Sequence, residues 1–366
     1  MALAKHFLVA ACAGLCLTIC LPGDAWAKKG LHPETAQERL RADQYGQKAF
    51  SLMLDRKASQ AIGMLDVLIK QNPQSASLYT WRARIQVEAV FDRSMQYDQK
   101  LAIHNAERDL AKALTLDDTV SNIYLVRARL AIFDQLEDKA LLDLNKSIEL
   151  DGKNVSAHLW RAQLLEGEGK AKEALKDLDA AVNVLPGSDT LSRRALVRRH
   201  VLDFKGSIED YNSAYKMEPA QFLLVKRGEA YELAKQYDKA ILDCRAAIKT
   251  NMKATDEISC RKRIARMYLA MNKPDLAAKE LDVVLKMNPE DLASIGKHLE
   301  CTKKLKDWKA ALSDVNKLLD FESRYDGYYK ERAEIYRALG NANAAAADEA
   351  KYKELHKKTE APLQYQ

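Results

Sequence analysis

Proline and glycine are scarce in this chain, with 8 and 14 among its 366 residues. Folds built from many short strands need frequent turn residues, so this scarcity argues against a β-rich fold. Aromatic residues make up only 7% of the chain, and Ala, Leu, Lys, Glu and Asp dominate. These residues are good or moderate helix formers, and the composition predicts helices.

Cysteines are few and poorly placed for a disulfide framework. Three of the six lie in the first 20 residues, and the remaining three are Cys244, Cys260 and Cys301. Three thiols cannot all pair within one chain, and none has the CxxC spacing of a metal or redox site. We expect these three to serve as small apolar core residues.

The chain has one long hydrophobic run, residues 7–21, preceded by Lys5 and followed by small residues ending at Ala27. This order is typical of a secretory signal peptide. The alternative is a membrane anchor, but the run is shorter than the roughly 20 residues that a span requires. We predict a cleaved signal over residues 1–27, a periplasmic or secreted location, and no membrane span.

Motifs for catalysis are also lacking. The seven histidines are scattered without an HExxH pattern, and neither a GxSxG nor a P-loop sequence is present. The sequence therefore predicts no catalytic residue, no metal site and no cofactor. An enzyme with a site assembled from distant helices is the least favoured alternative.

The chain does contain an internal repeat. Residues 160–187 (WRAQLLEGEGKAKEALKDLDAAVNVLPG) follow the pattern of residues 126–152 (VRARLAIFDQLEDKALLDLNKSIELDG) at a distance of 34 residues. A residue that opens the second half of each unit, here called the anchor, recurs nine times: Ala61, Ala106, Ala140, Ala174, Ser207, Ala240, Ala277, Ala311 and Ala345. A second small residue usually lies twelve positions earlier: Ala49, Ala128, Ala162, Ala195, Gly228, Ala265 and Ala333.

These small residues have a physical explanation. Two antiparallel helices approach closely only where side chains are small, and Pro or Gly ends the second helix. We assign this structural role to Ala128, Ala140, Ala162, Ala174, Gly228 and Ala240. One helix pair cannot bury its apolar face alone, so the pairs must stack. The predicted fold is all-α, a right-handed superhelical α-solenoid of about nine helix–turn–helix units.

A helix–turn–helix repeat of 34 residues with this order of small residues resembles the tetratricopeptide repeat (TPR) family. The resemblance covers residues 41–358, after a linker at 28–40 and before a tail at 359–366. A class of 36-residue helical repeats fits less well, because intervals of 33 and 34 dominate. An exported array of this kind indicates a bacterial protein.

Six units share a charged pair. Arg precedes the early small residue in Arg82, Arg127, Arg161, Arg194, Arg227 and Arg332. Asp lies three residues after the anchor in Asp109, Asp143, Asp177, Asp210, Asp243 and Asp348. We predict an ion pair between the two helices of each unit; the alternative is a row of arginines that binds an anionic ligand.

The second unit carries an insertion of eleven residues within residues 88–105. Eleven residues make about three helical turns, so both helices could lengthen in phase. The inserted part includes Phe91, Met95, Tyr97 and Leu101. We expect a longer hairpin that packs on itself; the alternative is a projecting contact element.

The resemblance implies that first helices line a concave groove that binds a partner. Positions expected to face this groove include Arg84, Arg129, Arg199, Lys262 and Arg266, with several glutamates between them. The partner is therefore expected to be a protein or peptide, and an acidic segment would suit these basic positions. Nucleic acid is not expected, because it needs a sustained basic stripe.

The predicted function is a non-catalytic protein–protein interaction scaffold of the bacterial cell envelope. The last helix, residues 344–358, is strongly charged and is expected to cap the array, which favours a monomer. The alternative is a structural subunit of an envelope assembly.

Overall fold

The computed structural model describes residues 34–92 and 98–360. It is 82% helical, with 18 helices and no strand in these ranges, which confirms the all-α prediction. The predicted leader at 1–27 and the last residues of the predicted tail lie outside the described residues. The chain divides into two compact units, one ending at Glu218 and one beginning at Pro219.

The first unit holds five helix pairs, which form repeats 1 to 5. Its helices are α1 (Ala36–Leu54), α2 (Ala58–Gln71), α3 (Ala76–Phe91), α4 (Gln99–Leu116), α5 (Ser121–Phe133), α6 (Glu137–Leu150), α7 (Val155–Gly167), α8 (Ala171–Val184), α9 (Ser188–His200) and α10 (Phe204–Met217).

The second unit holds four pairs, which form repeats 6 to 9. Its helices are α11 (Gln221–Leu233), α12 (Tyr237–Ile248), α13 (Ala254–Ala270), α14 (Pro274–Met287), α15 (Leu292–Lys304), α16 (Trp308–Phe321), α17 (Asp326–Ala338) and α18 (Ala342–Glu360).

Helix α1 begins at Ala36, inside the segment predicted as a linker. The reason is a capping box. The Glu38 N–H donates to Thr35 Oγ1 at 3.3 Å, and the Thr35 N–H donates to the Glu38 carboxylate at 2.8 Å. These bonds satisfy two backbone donors that the first helical turn cannot pair. The first repeat therefore starts five residues earlier than the predicted 41.

The small residues belong to the buried core of the helix pairs: Ala128 shares an apolar cluster with Ala140, and Ala162 shares another with Ala174. All six residues assigned this role are buried: Ala128, Ala140, Ala162, Ala174, Gly228 and Ala240. Larger side chains fill the space beside them and are at most 3% exposed: Leu65, Leu110, Leu144, Leu178, Tyr211 and Leu281. Close packing of this kind gives each pair its apolar core.

The turn inside each pair also repeats. Eight repeats place a left-handed residue five positions before the anchor, with φ between 56° and 77°: Arg56, Gln135, Gly169, Leu202, Lys235, Asn272, Lys306 and Gly340. Only two of these are glycine. The backbone geometry of the hairpin is therefore imposed by packing, at some local cost for the other side chains.

The insertion lengthens both helices of repeat 2. Helix α3 has 16 residues and α4 has 18, whereas α5 has 13 and α6 has 14. Phe91, at the end of α3, packs edge-on against Phe133 of α5 with ring centres 5.7 Å apart. Leu101 is 55% exposed. Met95 and Tyr97 lie outside the described residues.

Replacing Gly228 with Leu should overpack the α11–α12 pair. A Cβ at Gly228 would lie 3.4 Å from Asp243 Cβ and 3.5 Å from the Ala240 carbonyl oxygen, so a methyl fits and a branched chain does not. We expect Gly228→Leu to lower the free energy of unfolding by about 1 to 3 kcal/mol. Gly228→Ala is the matched control and should cost little. Urea unfolding followed by circular dichroism checks this; equal midpoints for the two variants would contradict the packing.

Candidate functional site

All six predicted arginine–aspartate pairs form. In each, the arginine of the first helix donates from Nε and Nη2 to the two carboxylate oxygens of the aspartate on the second helix. The Nε–Oδ2 distances are 2.7–2.9 Å. Two parallel bonds of this kind fix both the distance and the angle between the groups. The arginines are therefore structural, and the alternative of a ligand-binding arginine row is not supported.

A third contact joins four of these arginines to the preceding repeat, which sequence reasoning missed. The Nη1 atom donates to a side-chain oxygen five residues after the previous anchor, at 2.6–3.0 Å: Arg82 to Asp66, Arg161 to Asn145, Arg194 to Asp179 and Arg332 to Asn316. The sequence feature that could have predicted this contact is the recurrence of Asp or Asn five residues after the anchor. We call the arginine–aspartate pair, together with this third contact where it is given, the arginine bridge.

The aspartate of the bridge is buried, and its negative charge is paired inside the protein. Asp177 accepts from Arg161 and also from His158 Nδ1, at 2.7 Å. Burial acts to raise the pKa of Asp177, but the hydrogen bonds from His158 and Arg161 and the charge of Arg161 outweigh it and hold that pKa below its ordinary value. The carboxylate therefore stays ionised and paired at neutral pH.

Arg84, a predicted groove residue, occupies a different environment. Its guanidinium carbon lies 4.8 Å from the ring centre of Phe50 and 5.0 Å from that of Trp81, and the residue is 8% exposed. Asp43 lies within electrostatic reach, because burial raises the pKa of that carboxyl and the charge of Arg84 acts against the rise. Within residues 34–92 and 98–360, Arg84 makes no direct hydrogen bond or ion pair. Trp81 is fixed in turn, because its Nε1 donates to Asp43 at 2.9 Å and its ring packs on Gly46.

Arg129 lies at the same repeat position, one repeat further along. Its guanidinium contacts the rings of Phe91 and Trp160, each at 5.0 Å, and Nη2 donates to Glu88 at 2.9 Å. Arg84, Glu88, Arg129 and Trp160 line one small cleft on the first-helix face of the first unit. The structure thus brings two of the five predicted groove residues together, and only Arg129 is neutralised by a carboxylate.

The predicted groove residues of the second unit pair with acidic neighbours. Arg266 is exposed, and its Nη2 donates to Glu232 at 2.6 Å. Lys262 forms an ion pair with Asp291. Their charges are therefore largely balanced within the unit. Arg199, on α9 of the first unit, is half-buried.

A larger cleft, of about 400 Å³, lies between α6 and α8 and has Arg161 in its wall. Lys170, Lys176 and Glu173 surround it. These exposed side chains carry mixed charge, and Arg161 is already committed to its bridge. This cleft has no side chain that is both buried and available to a ligand.

Across residues 34–92 and 98–360, no three His, Cys, Asp or Glu side chains are grouped closely enough to hold a metal ion. None of the 18 described helices combines the length and apolar character that crossing a bilayer requires. Cys244, Cys260 and Cys301 are buried free thiols.

No protein-family model matches the chain. The human protein "Tetratricopeptide repeat protein 6" is 23% identical over 192 residues, which is 49% of this chain and 36% of that protein. The chain therefore spans well under two thirds of the length of this curated relative.

Among solved structures, the C-terminal part of a TPR repeat-containing protein from Cytophaga hutchinsonii aligns with a TM-score of 0.51 and 15% identity, over 69% of this chain and 98% of that one. A tetratricopeptide repeat protein from Parabacteroides merdae aligns over 65% of this chain and 94% of that one, with 17% identity and a TM-score of 0.47. The chain has the TPR fold.

Removing the paired aspartate of one bridge should destabilise the fold more than removing the outer acceptor of the next bridge, Asp179, which contacts Arg194. Asp177→Ala leaves Arg161 and the buried His158 without their shared acceptor, whereas Asp179 is 45% exposed at its side chain. We expect Asp177→Ala to cost about 1 to 3 kcal/mol of unfolding free energy. Asp179→Ala, on the same helix, should cost less than about 1 kcal/mol. Similar urea midpoints for both variants would argue against the bridge as the stabilising contact.

Proposed function

We propose that the chain is a non-catalytic scaffold that binds a protein or peptide partner along the face formed by the first helices of its repeats. The TPR fold supports a protein–protein interaction role in general. The observation that carries the proposal is Arg84, a buried guanidinium at a cleft that contacts two aromatic rings and, among the described residues, is not hydrogen-bonded to a carboxylate.

The chemistry of Arg84 indicates which group a partner supplies. A guanidinium withdrawn from water gains most from a carboxylate, which it binds through two parallel hydrogen bonds. Each bridge arginine already binds a carboxylate in this way, whereas Arg84, among the described residues, interacts with Asp43 only through its charge. Its contacts with the Phe50 and Trp81 rings restrict the side chain, so little ordering entropy would be lost when a partner binds. We therefore expect the partner to present an acidic side chain.

The remaining groove residues take a secondary part in this proposal. Arg129, Lys262 and Arg266 would contact a partner only in competition with Glu88, Asp291 and Glu232. Arg199 lies on the first helix of repeat 5 and is also a proposed contact. The pairs of Lys262 and Arg266 are partly exposed, so they contribute little and are screened by salt, whereas Arg129 is buried and already paired with Glu88. Their role is therefore to modulate affinity, and Arg84 is the main charged contact.

The cellular setting is proposed from the sequence. The apolar run at residues 7–21 and the small residues before Ala27 support export to the bacterial cell envelope, in the periplasm or outside the cell. The proposed partner is not nucleic acid, and the proposed working form is a monomer. A structural subunit of an envelope assembly is the second candidate, and filament formation in light scattering would favour it.

Arg84→Gln should weaken the binding of acidic peptides. A phage-displayed library of random peptides, selected on the full mature chain, is expected to yield sequences enriched in Asp or Glu. Synthetic copies of these peptides should bind Arg84→Gln at least about tenfold more weakly, a loss of about 1.4 kcal/mol. Replacing the acidic residue of the peptide by its amide should have the same effect on the wild type and little effect on Arg84→Gln.

Arg108→Gln is the matched control, because Arg108 is an exposed arginine on the second helix of the same repeat. Arg84→Lys keeps the charge and should retain part of the acidic preference even if Arg84→Gln is destabilised. Selected peptides without acidic residues, or equal affinity for wild type and Arg84→Gln, would refute the Arg84 site. Failure to select any peptide would refute the peptide-binding proposal.

A further inference from the structure

Repeat 8 places a histidine where six other repeats place the bridge arginine. His298 precedes Leu299, which occupies the early small-residue position of this repeat. Its Nδ1 lies 2.7 Å from Asp314 Oδ2, and its Nε2 lies 3.3 Å from Asp282 Oδ1. Asp314 is three residues after the anchor Ala311, and Asp282 is five residues after the anchor Ala277. The imidazole therefore joins α14, α15 and α16 as a bridge arginine would.

The two side chains differ in one chemical respect. Arginine is charged at every accessible pH and keeps all its N–H donors. Imidazole donates from both nitrogens only when it is protonated. A neutral His298 can donate to Asp314 or to Asp282, but its other nitrogen then turns a lone pair toward a carboxylate. The three-helix contact is complete only in the imidazolium form.

The charged groups around His298 favour that form. The hydrogen bond to Asp314 raises the pKa of His298 above its ordinary value, burial acts in the opposite direction, and the charges of Asp314 and Asp282 add to the rise. Lys317, on α16, acts to lower this pKa. Thr302, on the same helix as His298, places its hydroxyl 3.4 Å from Asp314.

We propose that repeat 8 is a pH-responsive joint, in which α15 is held to α14 and α16 at mildly acidic pH and is loosened when His298 loses its proton. Because the pKa of the folded form is raised, the stabilisation is fully present below about pH 6.5, the ordinary histidine value, and is lost as the pH rises through the folded value. The bridges of repeats 6 and 9 use Arg227 and Arg332, which stay charged over this pH range, so these bridges do not take part in the response.

A second buried histidine provides an internal comparison. His158 contacts Asp177 in repeat 4, but Arg161 binds the same carboxylate through two hydrogen bonds. The arginine bridge of that repeat therefore persists whatever the protonation of His158. In repeat 8, by contrast, His298 alone takes the place of the arginine.

Hydrogen–deuterium exchange of the full mature chain tests the proposal. Exchange would be measured by mass spectrometry at about pH 5.5 and about pH 8, on either side of the ordinary histidine pKa, and corrected for the intrinsic pH dependence of amide exchange. We expect amides of α15 and α16 to lose protection several-fold at the higher pH, while those of α11 and α12, which contain no histidine, change little. His298→Arg should restore the bridge and abolish this pH dependence. His298→Gln should lower protection in α15 and α16 at both pH values.

Three outcomes would overturn the proposal. The first is a wild type whose α15 and α16 exchange shows no pH dependence. The second is a His298→Arg variant whose α15 and α16 exchange keeps the pH dependence of the wild type. The third is an imidazole that titrates at or below the ordinary value in an NMR titration of histidine-labelled protein, with the His298 signal assigned by its loss in His298→Gln. The NMR measurement remains informative even if one variant proves unstable.

Discussion

The bridge between one arginine and the side chains of two neighbouring helices is the contact on which the repeat geometry depends. Apolar packing brings the helices of a pair together at small residues such as Ala162 and Ala174, but such packing alone tolerates sliding. The paired hydrogen bonds from Arg161 to Asp177 fix the register of the pair, and the bond to Asn145 fixes the pair against the previous repeat. One side chain thus sets both distances.

The arginines of this protein fall into two groups: those paired with carboxylates inside the fold, and those whose charge could still bind a partner. The bridge arginines are satisfied inside the fold, and Arg266 and Lys262 are balanced by Glu232 and Asp291. Arg84 differs, because its guanidinium contacts two aromatic rings and, within the described ranges, is not hydrogen-bonded to a carboxylate. The proposed binding face follows from this difference. At position 298 this chain has histidine where other repeats have arginine. The bridge of repeat 8 therefore occupies the same position in the repeat, but its charge can titrate.

Much of the fold could be predicted from the sequence, because the repeat brings its own internal comparison. The spacing of Ala128 and Ala140 predicted the helix crossing, and the recurrence of Arg and Asp predicted the pairs. The third contact was missed, since it joins different repeats through either Asp or Asn. The environment of Arg84 could not be predicted, because it depends on the ring of Phe50 from the preceding repeat and on how the nearby carboxylates are paired. The start of α1 depended on a local capping box that the repeat pattern does not contain.

A double-mutant cycle on Arg332 and Asp348 tests the central claim most directly. Arg332 donates from Nε and Nη2 to the two carboxylate oxygens of Asp348, at 2.7 and 2.8 Å. Neither residue lines the proposed binding cleft. Arg332→Gln, Asp348→Asn and the double variant would be compared in urea unfolding. The account predicts a coupling free energy of about 1 to 3 kcal/mol, as for groups in one hydrogen-bonded network. Additive effects, with a coupling near zero, would contradict it.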